Sequence, residues 1–171
     1  MTHWKTIADI RREYGKLALT VNTAAESPFE QFHLWFQEVL SSEASDPTAM
    51  VLSTVDEDGW PDSRVVLLKG VKDEQFVFFT NYQSAKAQQI SSNQKVSMNF
   101  YWPQMARQVR LKGIALKTDK LVSDEYFSSR PQLSQYSAVV SPQSKAIQSR
   151  ELLERKFNEL VQKHQKQPLL R

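Results

Sequence analysis

Two hydrophobic rhythms run along the chain, and the places where one gives way to the other predict its elements. Three short runs rich in Val, Leu and Phe, at residues 49–55, 63–69 and 75–80, are divided by Asp56-Glu57-Asp58-Gly59 and by Gly70-Val71-Lys72-Asp73-Glu74. Runs of this kind, bounded by Gly- and Asp-bearing turns, read as an antiparallel meander. Residues 95–102 alternate with period two, which places Val96, Met98, Phe100 and Trp102 on one face. Pro103-Gln104 supplies a turn, and residues 107–116 alternate again as a fifth strand. Helical spacing marks the rest. Trp4, Ile7, Ile10 and Tyr14 suggest an amphipathic helix over 4–17, followed by a flexible connection at 18–26. Ser27-Pro28-Phe29-Glu30 is a strong helix start: Ser27 can cap, Pro28 suits the first helical position, and Glu30 completes a capping box. Phe29, Phe32, Phe36, Val39 and Leu40 then form an apolar stripe, and Ser45-Asp46-Pro47 ends the region. One or two turns are expected at 84–91, a helix at 119–129 stopped by Arg130-Pro131, a loop at 137–144, and a long helix over 147–165.

Five consecutive strands with helices around them predict a mixed α+β domain, mainly β, built on a small barrel or strongly bent sheet. One domain spans residues 1–171, with 1–26 as an N-terminal segment, since no repeat or linker divides the chain. A Rossmann reading fails: there is no Gly-x-Gly-x-x-Gly, and the strands do not alternate with long helices. With no Walker loop either, any phosphate must be held by side chains.

Composition narrows the chemistry. The absence of cysteine excludes disulfides and thiolate metal sites, and no run approaches the ~18 apolar residues of a membrane span. No signal-peptide core opens the chain, so the expectation is a soluble, cytoplasmic protein without a membrane partner. The net charge is +3, but the positive residues of 145–166 are interspersed with Glu151, Glu154 and Glu159 rather than gathered in a stripe. A few well-placed cations fit an anionic small molecule better than nucleic acid. His33, alone on an apolar stripe, reads as structural, and no metal is assigned.

The polar residues that stand out are Arg64, Lys69, Thr80, Lys86, Gln108, Arg130, Ser134, Gln143 and Ser144. Each alone has a surface or capping explanation. Together they offer charge-assisted and neutral donors for phosphate. Arg64 and Lys69 are five apart, so a regular strand sends them to opposite faces; either a bulge intervenes or they serve different groups.

Several segments, in order, carry a resemblance: Arg11-Arg12-Glu13-Tyr14, Asp46-Pro47-Thr48-Ala49-Met50, Arg64-Val65-Val66-Leu67-Leu68-Lys69, Phe79-Thr80-Asn81, Ser84-x-Lys86-Ala87, Arg107-Gln108-Val109, Tyr126-Phe127-x-Ser129-Arg130-Pro131, Ser134-Gln135 and Gln143-Ser144. The chain resembles the pyridoxine/pyridoxamine 5′-phosphate oxidases over nearly its whole length. The resemblance implies a split-barrel flavoprotein with FMN at a homodimer interface. It also implies hydride transfer from C4′ of a phosphorylated B6 vitamer to flavin N5, with O2 as the final acceptor, giving pyridoxal 5′-phosphate and peroxide. By the same resemblance FMN contacts fall on Arg64, Val65, Leu67, Lys69, Thr80, Lys86, Gln108, Gln143 and Ser144, with Arg64 and Lys86 on its phosphate. Lys69, Tyr126, Arg130 and Ser134 would hold the substrate phosphate, with Arg11 and Tyr14 closing over it. No nucleophile–base pair is needed, because the flavin carries the redox chemistry. The alternative on the same residues is a binding protein for flavin or pyridoxal phosphate without turnover, distinguished by its lack of peroxide production.

Three departures accompany the resemblance. Ala85 stands where the family usually has arginine, which is expected to weaken FMN binding, and Phe79 where tyrosine is common. The sequence ends at Pro168-Leu169-Leu170-Arg171, before the family's Trp-Gly-Gly and Arg-Leu-His-Asp-Arg segments. Without them an unpaired sheet edge and weaker substrate orientation are expected.

Overall fold

The computed structural model describes residues 7, 9–10, 18–42, 44–164 and 169. Most of the helix expected at 4–17, with Arg11 and Tyr14, lies outside them. Helix α1 (Pro28–Leu40) starts as its sequence demands: Ser27 is extended and its side chain accepts from the Glu30 amide at 3.0 Å. It ends at Leu40, earlier than Ser45-Asp46-Pro47, with the Ser41 amide and hydroxyl both bonding the Gln37 carbonyl. Phe32 and Val39 are buried, Phe29 and Phe36 half-buried, and Leu40 is exposed, so the stripe that meets the core is narrower than the sequence suggests.

Strands β1 (Ala49–Val55), β2 (Pro61–Leu67), β5 (Lys95–Trp102) and β6 (Arg107–Ile114) form one antiparallel sheet in the order β2-β1-β5-β6. Between β1 and β2, Asp56 Oδ1 accepts from the Asp58 and Trp60 amides, and Gly59 supplies a φ of 86°. The expected meander is corrected here. The residue 75–80 run does not add a third strand beside β2; only Gln75–Val77 is strand (β4), and it pairs with β3 (Gly70–Lys72), which lies inside the expected turn. Asp73 and Glu74, with φ of 49° and 61°, make this a tight two-residue hairpin. The expected strand over 63–69 also ends at Leu67. The Leu68 amide still bonds Thr48, but the Lys69 amide bonds Val77, so the chain changes sheets there. The parity puzzle of Arg64 and Lys69 dissolves because they do not share one regular strand.

The period-two face of β5 is the core face. Phe100 and Trp102 are buried with Phe32, Val39, Met50 and Leu68, and Phe32 touches Phe36, Phe76, Phe100 and Trp102 with ring centroids 4.8–6.1 Å apart. Helix α1 thus covers the sheet and locks the β3–β4 hairpin through Phe76. Trp102 donates Nε1–H to the Pro47 carbonyl at 3.1 Å, satisfying its one polar atom. Arg107 anchors α1 from β6, pairing with Glu38 at 2.5 Å and lying 4.8 Å over the Trp35 ring.

Helices α2 (Ala85–Ser92), α3 (Lys120–Ser129), α4 (Gln132–Val140) and α5 (Arg150–Lys163) complete the described fold. Helix α4 overturns the loop expected at 137–144 through Val140. It follows the break at Arg130-Pro131, where Arg130 is extended (ψ 149°), and Gln135 Nε2 donates to the Ser128 and Arg130 carbonyls to fix the corner. Buried Tyr136 packs edge-on to Phe157 of α5 and donates to the His164 carbonyl at 3.0 Å.

Candidate functional site

Edge strand β2 and helix α2 meet in a polar cluster. Arg64 points to the core-side face of the sheet, in register with Leu52, and its side chain is only 18% exposed, so its charge needs local partners. It donates through one terminal nitrogen to the Leu52 carbonyl (3.3 Å) and Thr54 Oγ1 (2.6 Å). The other donates to Gln89 Oε1 (3.2 Å) and pairs with Asp62. Gln89 closes the ring: its Oε1 also accepts from Thr54 Oγ1, and its Nε2 donates to Asp62 Oδ2 at 3.1 Å.

Lys86 stands one helical turn before Gln89. Its ammonium donates to Gln143 Oε1 at 3.1 Å, on the α4–α5 connection, and lies 3.5 Å from buried Ser84 Oγ. Burial, and next the nearby Arg64 guanidinium, hold the Lys86 pKa below its ordinary value, with Asp62 acting against them. The Asp62 carboxyl is held below its usual range, first by the Gln89 hydrogen bond and then by Arg64. Two cations close enough to oppose each other's charge, with neutral donors around them, are suited to a compact anion such as phosphate.

A second group forms where residues 79–80 meet α3. The Phe79 and Tyr126 rings stack 3.7 Å apart and 3° from parallel, beside half-buried Thr80. Arg130 and Ser134 are both half-buried on the α3–α4 corner that Gln135 fixes, so Tyr126, Arg130 and Ser134 share one corner of the fold. Lys69 is exposed at the sheet crossing. Ser144 is exposed in a tight turn with φ of 67°.

The remaining expected positions lie on the sheet's outer face. Val65 (64% exposed) and Leu67 (41%) are on β2, and exposed Gln108 is on β6, paired with Tyr101. Arg64 and Val65 share an edge strand, so one ligand could lap around it and reach both. Gln108 is on the far edge, three strand spacings or roughly 14 Å away, and the chain does not bring it to Arg64. Sequence reasoning missed Thr54, Asp62 and Gln89. Two of them had a signal: Asp62 is two residues from Arg64 on the same strand face, and Gln89 is three from Lys86 on the same helix face.

The family model described as pyridoxamine 5′-phosphate oxidase matches residues 36–164. The chain belongs to this family. It is 56% identical, over all 171 residues and 80% of the relative's length, to a pyridoxine/pyridoxamine 5′-phosphate oxidase of Legionella pneumophila (strain Paris). It is 46% identical over 94% of its length to the protein of that name from Vibrio atlanticus, covering 76% of it. Among solved structures, PhzG of Burkholderia lata in complex with tetrahydrophenazine-1-carboxylic acid superposes with a TM-score of 0.85 at 21% identity, covering 93% of this chain and 78% of that one. A pyridoxamine 5′-phosphate oxidase-related, FMN binding protein from Nostoc punctiforme superposes with a TM-score of 0.60 at 18% identity, covering 77% and 73%. The likeness to these two shows the shared split-barrel fold.

Proposed function

We propose that this chain is an FMN-dependent oxidase of pyridoxine and pyridoxamine 5′-phosphates, with O2 as acceptor. The observation that carries the reading is the convergence of Arg64 and Lys86, from a strand and a helix, on one partly desolvated corner with Ser84 and Gln143. A phosphate-bearing flavin fits this donor set: Arg64 and Lys86 neutralise the phosphate, Ser84 and Gln143 orient the Lys86 ammonium, and Val65, Leu67, Lys69, Thr80 and Ser144 are the remaining contacts. FMN, when bound, supplies the two-electron redox chemistry that the side chains lack. The Tyr126, Arg130 and Ser134 corner, with Lys69, binds the vitamer's phosphate. The Phe79 ring, face to face with Tyr126, holds that phenol in place. Fixing the substrate by its phosphate orients the reacting carbon without a protein nucleophile.

The active form in this reading is a homodimer. Exposed Val65, Leu67, Tyr101 and Ile114 lie on the sheet's outer face among Gln108, Arg110 and Lys112, a mixed apolar and polar surface that a second copy can cover. The separation of Gln108 from Arg64 is what a site shared between two copies produces. Among the described residues no helix is long and apolar enough to cross a membrane.

The test is a visible spectrum of the purified protein titrated with FMN, then with pyridoxamine 5′-phosphate under anaerobic conditions. Bleaching of the flavin band, and peroxide on readmitting air, is the expected result. Flavin that binds but never bleaches would replace the oxidase by a binding protein. No flavin binding would remove the cofactor assignment altogether.

A further inference from the structure

The ring around Arg64 contains an acid that the phosphate reading does not use. Both terminal nitrogens of the guanidinium are engaged by protein: Leu52 and Thr54 on one, Gln89 and Asp62 on the other. A guanidinium has five N–H donors in a fixed fork, and four of them lie on these two nitrogens. A phosphate binding Arg64 bidentately therefore calls on donors that Asp62 and its neighbours already hold. Asp62 is itself half exposed, and Gln89 Nε2 keeps its carboxylate turned toward the guanidinium. The charge of the same carboxylate also favours the Lys86 ammonium, against the effect of burial and of Arg64.

We propose that Asp62 is an internal competitor for the phosphate: a carboxylate, latched by Gln89, that occupies Arg64 and sets how tightly the site takes an anion. The inference rests on the assignment of Arg64 and Lys86 to a phosphate. With Asp62 present the cluster carries a net single positive charge from Arg64, Lys86 and Asp62. Removing the carboxylate leaves two uncompensated cations and frees a guanidinium nitrogen. The pair is partly exposed, so the gain is modest. The opposite role, Asp62 as a brace that preorganises Arg64 for its ligand, predicts the opposite sign.

The test compares Asp62→Asn with the unchanged protein, because asparagine keeps the shape and the acceptor from Gln89 while removing the charge. Dissociation constants for FMN and for riboflavin, which has no phosphate, are measured by flavin fluorescence. D62N is expected to bind FMN about two- to fivefold more tightly, with riboflavin unchanged and the FMN gain shrinking at high salt. In an Arg64→Lys background the gain should disappear. Weaker FMN binding by D62N, or an equal change for riboflavin, overturns the competitor role. If the unchanged protein takes no FMN, the proposed function fails on its own account. Asp62 is then read with inorganic phosphate as the probe, by the rise in Tm with phosphate concentration. A larger rise in D62N supports the competitor, and equal rises overturn it.

Discussion

At the scale of single residues, the proposed phosphate reading makes the Arg64–Lys86 corner a place that exchanges stability for binding. Lys86 is held below its ordinary pKa by burial and by Arg64, so its charged form is less favourable in the folded chain than in the unfolded one. For a base the sign follows directly. The penalty is fully present below the folded pKa and is relieved as pH rises from there toward 10.5, because the unfolded chain binds the proton more tightly. Lys86→Met is therefore expected to show a Tm equal to or above that of the unchanged protein at neutral pH, with the difference narrowing as pH nears 10.5. The same variant should lose FMN affinity roughly tenfold or more, since a charge-assisted hydrogen bond is removed. Parallel losses of stability and affinity would mean that Lys86 is a structural residue. Arg130 tests the other corner. Arg130→Ala should raise KM for a phosphorylated vitamer far more than it lowers flavin content, and an equal loss of flavin would move Arg130 into the cofactor site.

At the scale of elements, β1, β5, β6 and α1 are legible because each carries its signal over seven or more residues: β1 as an apolar run closed by the Asp56–Gly59 turn, β5 and β6 as period-two alternation, and α1 as a stripe that includes Phe32 and Val39. The order of strands is not. Which strand lies beside β1 depends on pairing across forty or more residues, such as Val51 with Asn99, and no local rhythm encodes that. Helix α4 was hidden by its serines and glutamines. Its helicity rests on Tyr136 packing against Phe157 and on Gln135 fastening the α3–α4 corner, both tertiary effects. The β3–β4 hairpin was hidden by brevity, three residues a side. Its turn carries a cost: Glu74 sits at φ of 61°, a region that penalises side chains other than glycine. Glu74→Gly should stabilise the protein by about 0.5 kcal/mol, a Tm rise of about 1–2 °C. Glu74→Val should lower Tm. A fall in both would show that the hairpin tip is not strained.

For the candidate site, the cations were legible as residues out of place among apolar neighbours, but their grouping was not. Arg64 and Lys86 come together because α2 packs its Gln89 face against Thr54 and Asp62, a contact between distant segments. Gln143 joins them from fifty-seven residues away. Spacing along the chain carries none of this.

At the scale of the whole molecule, the proposed homodimer can be tested on the outer sheet face. Val65→Asp places a negative charge on the outer face of edge strand β2 without touching the core, since Val65 is 64% exposed. Under the homodimer reading it should shift the protein from dimer to monomer in light scattering and lower FMN retention together. A dimer that persists with full flavin would place the contact on another surface.

The hydrogen bond from Lys86 to Gln143 has a reach beyond its own atoms. It ties the N-terminal turn of α2 to the connection between α4 and α5, two helices at the edge of the fold that pack on each other. Peripheral helices open more readily than the core, and their amide protons exchange with solvent through such local openings. A ligand that needs Lys86 and Gln143 in place binds only the closed form, so it slows that opening by a factor of one plus its concentration over Kd. Under the proposed reading, deuterium uptake along α5 gauges an anion held at Lys86 and Gln143, slowing about a hundredfold when the ligand stands at a hundred times its Kd.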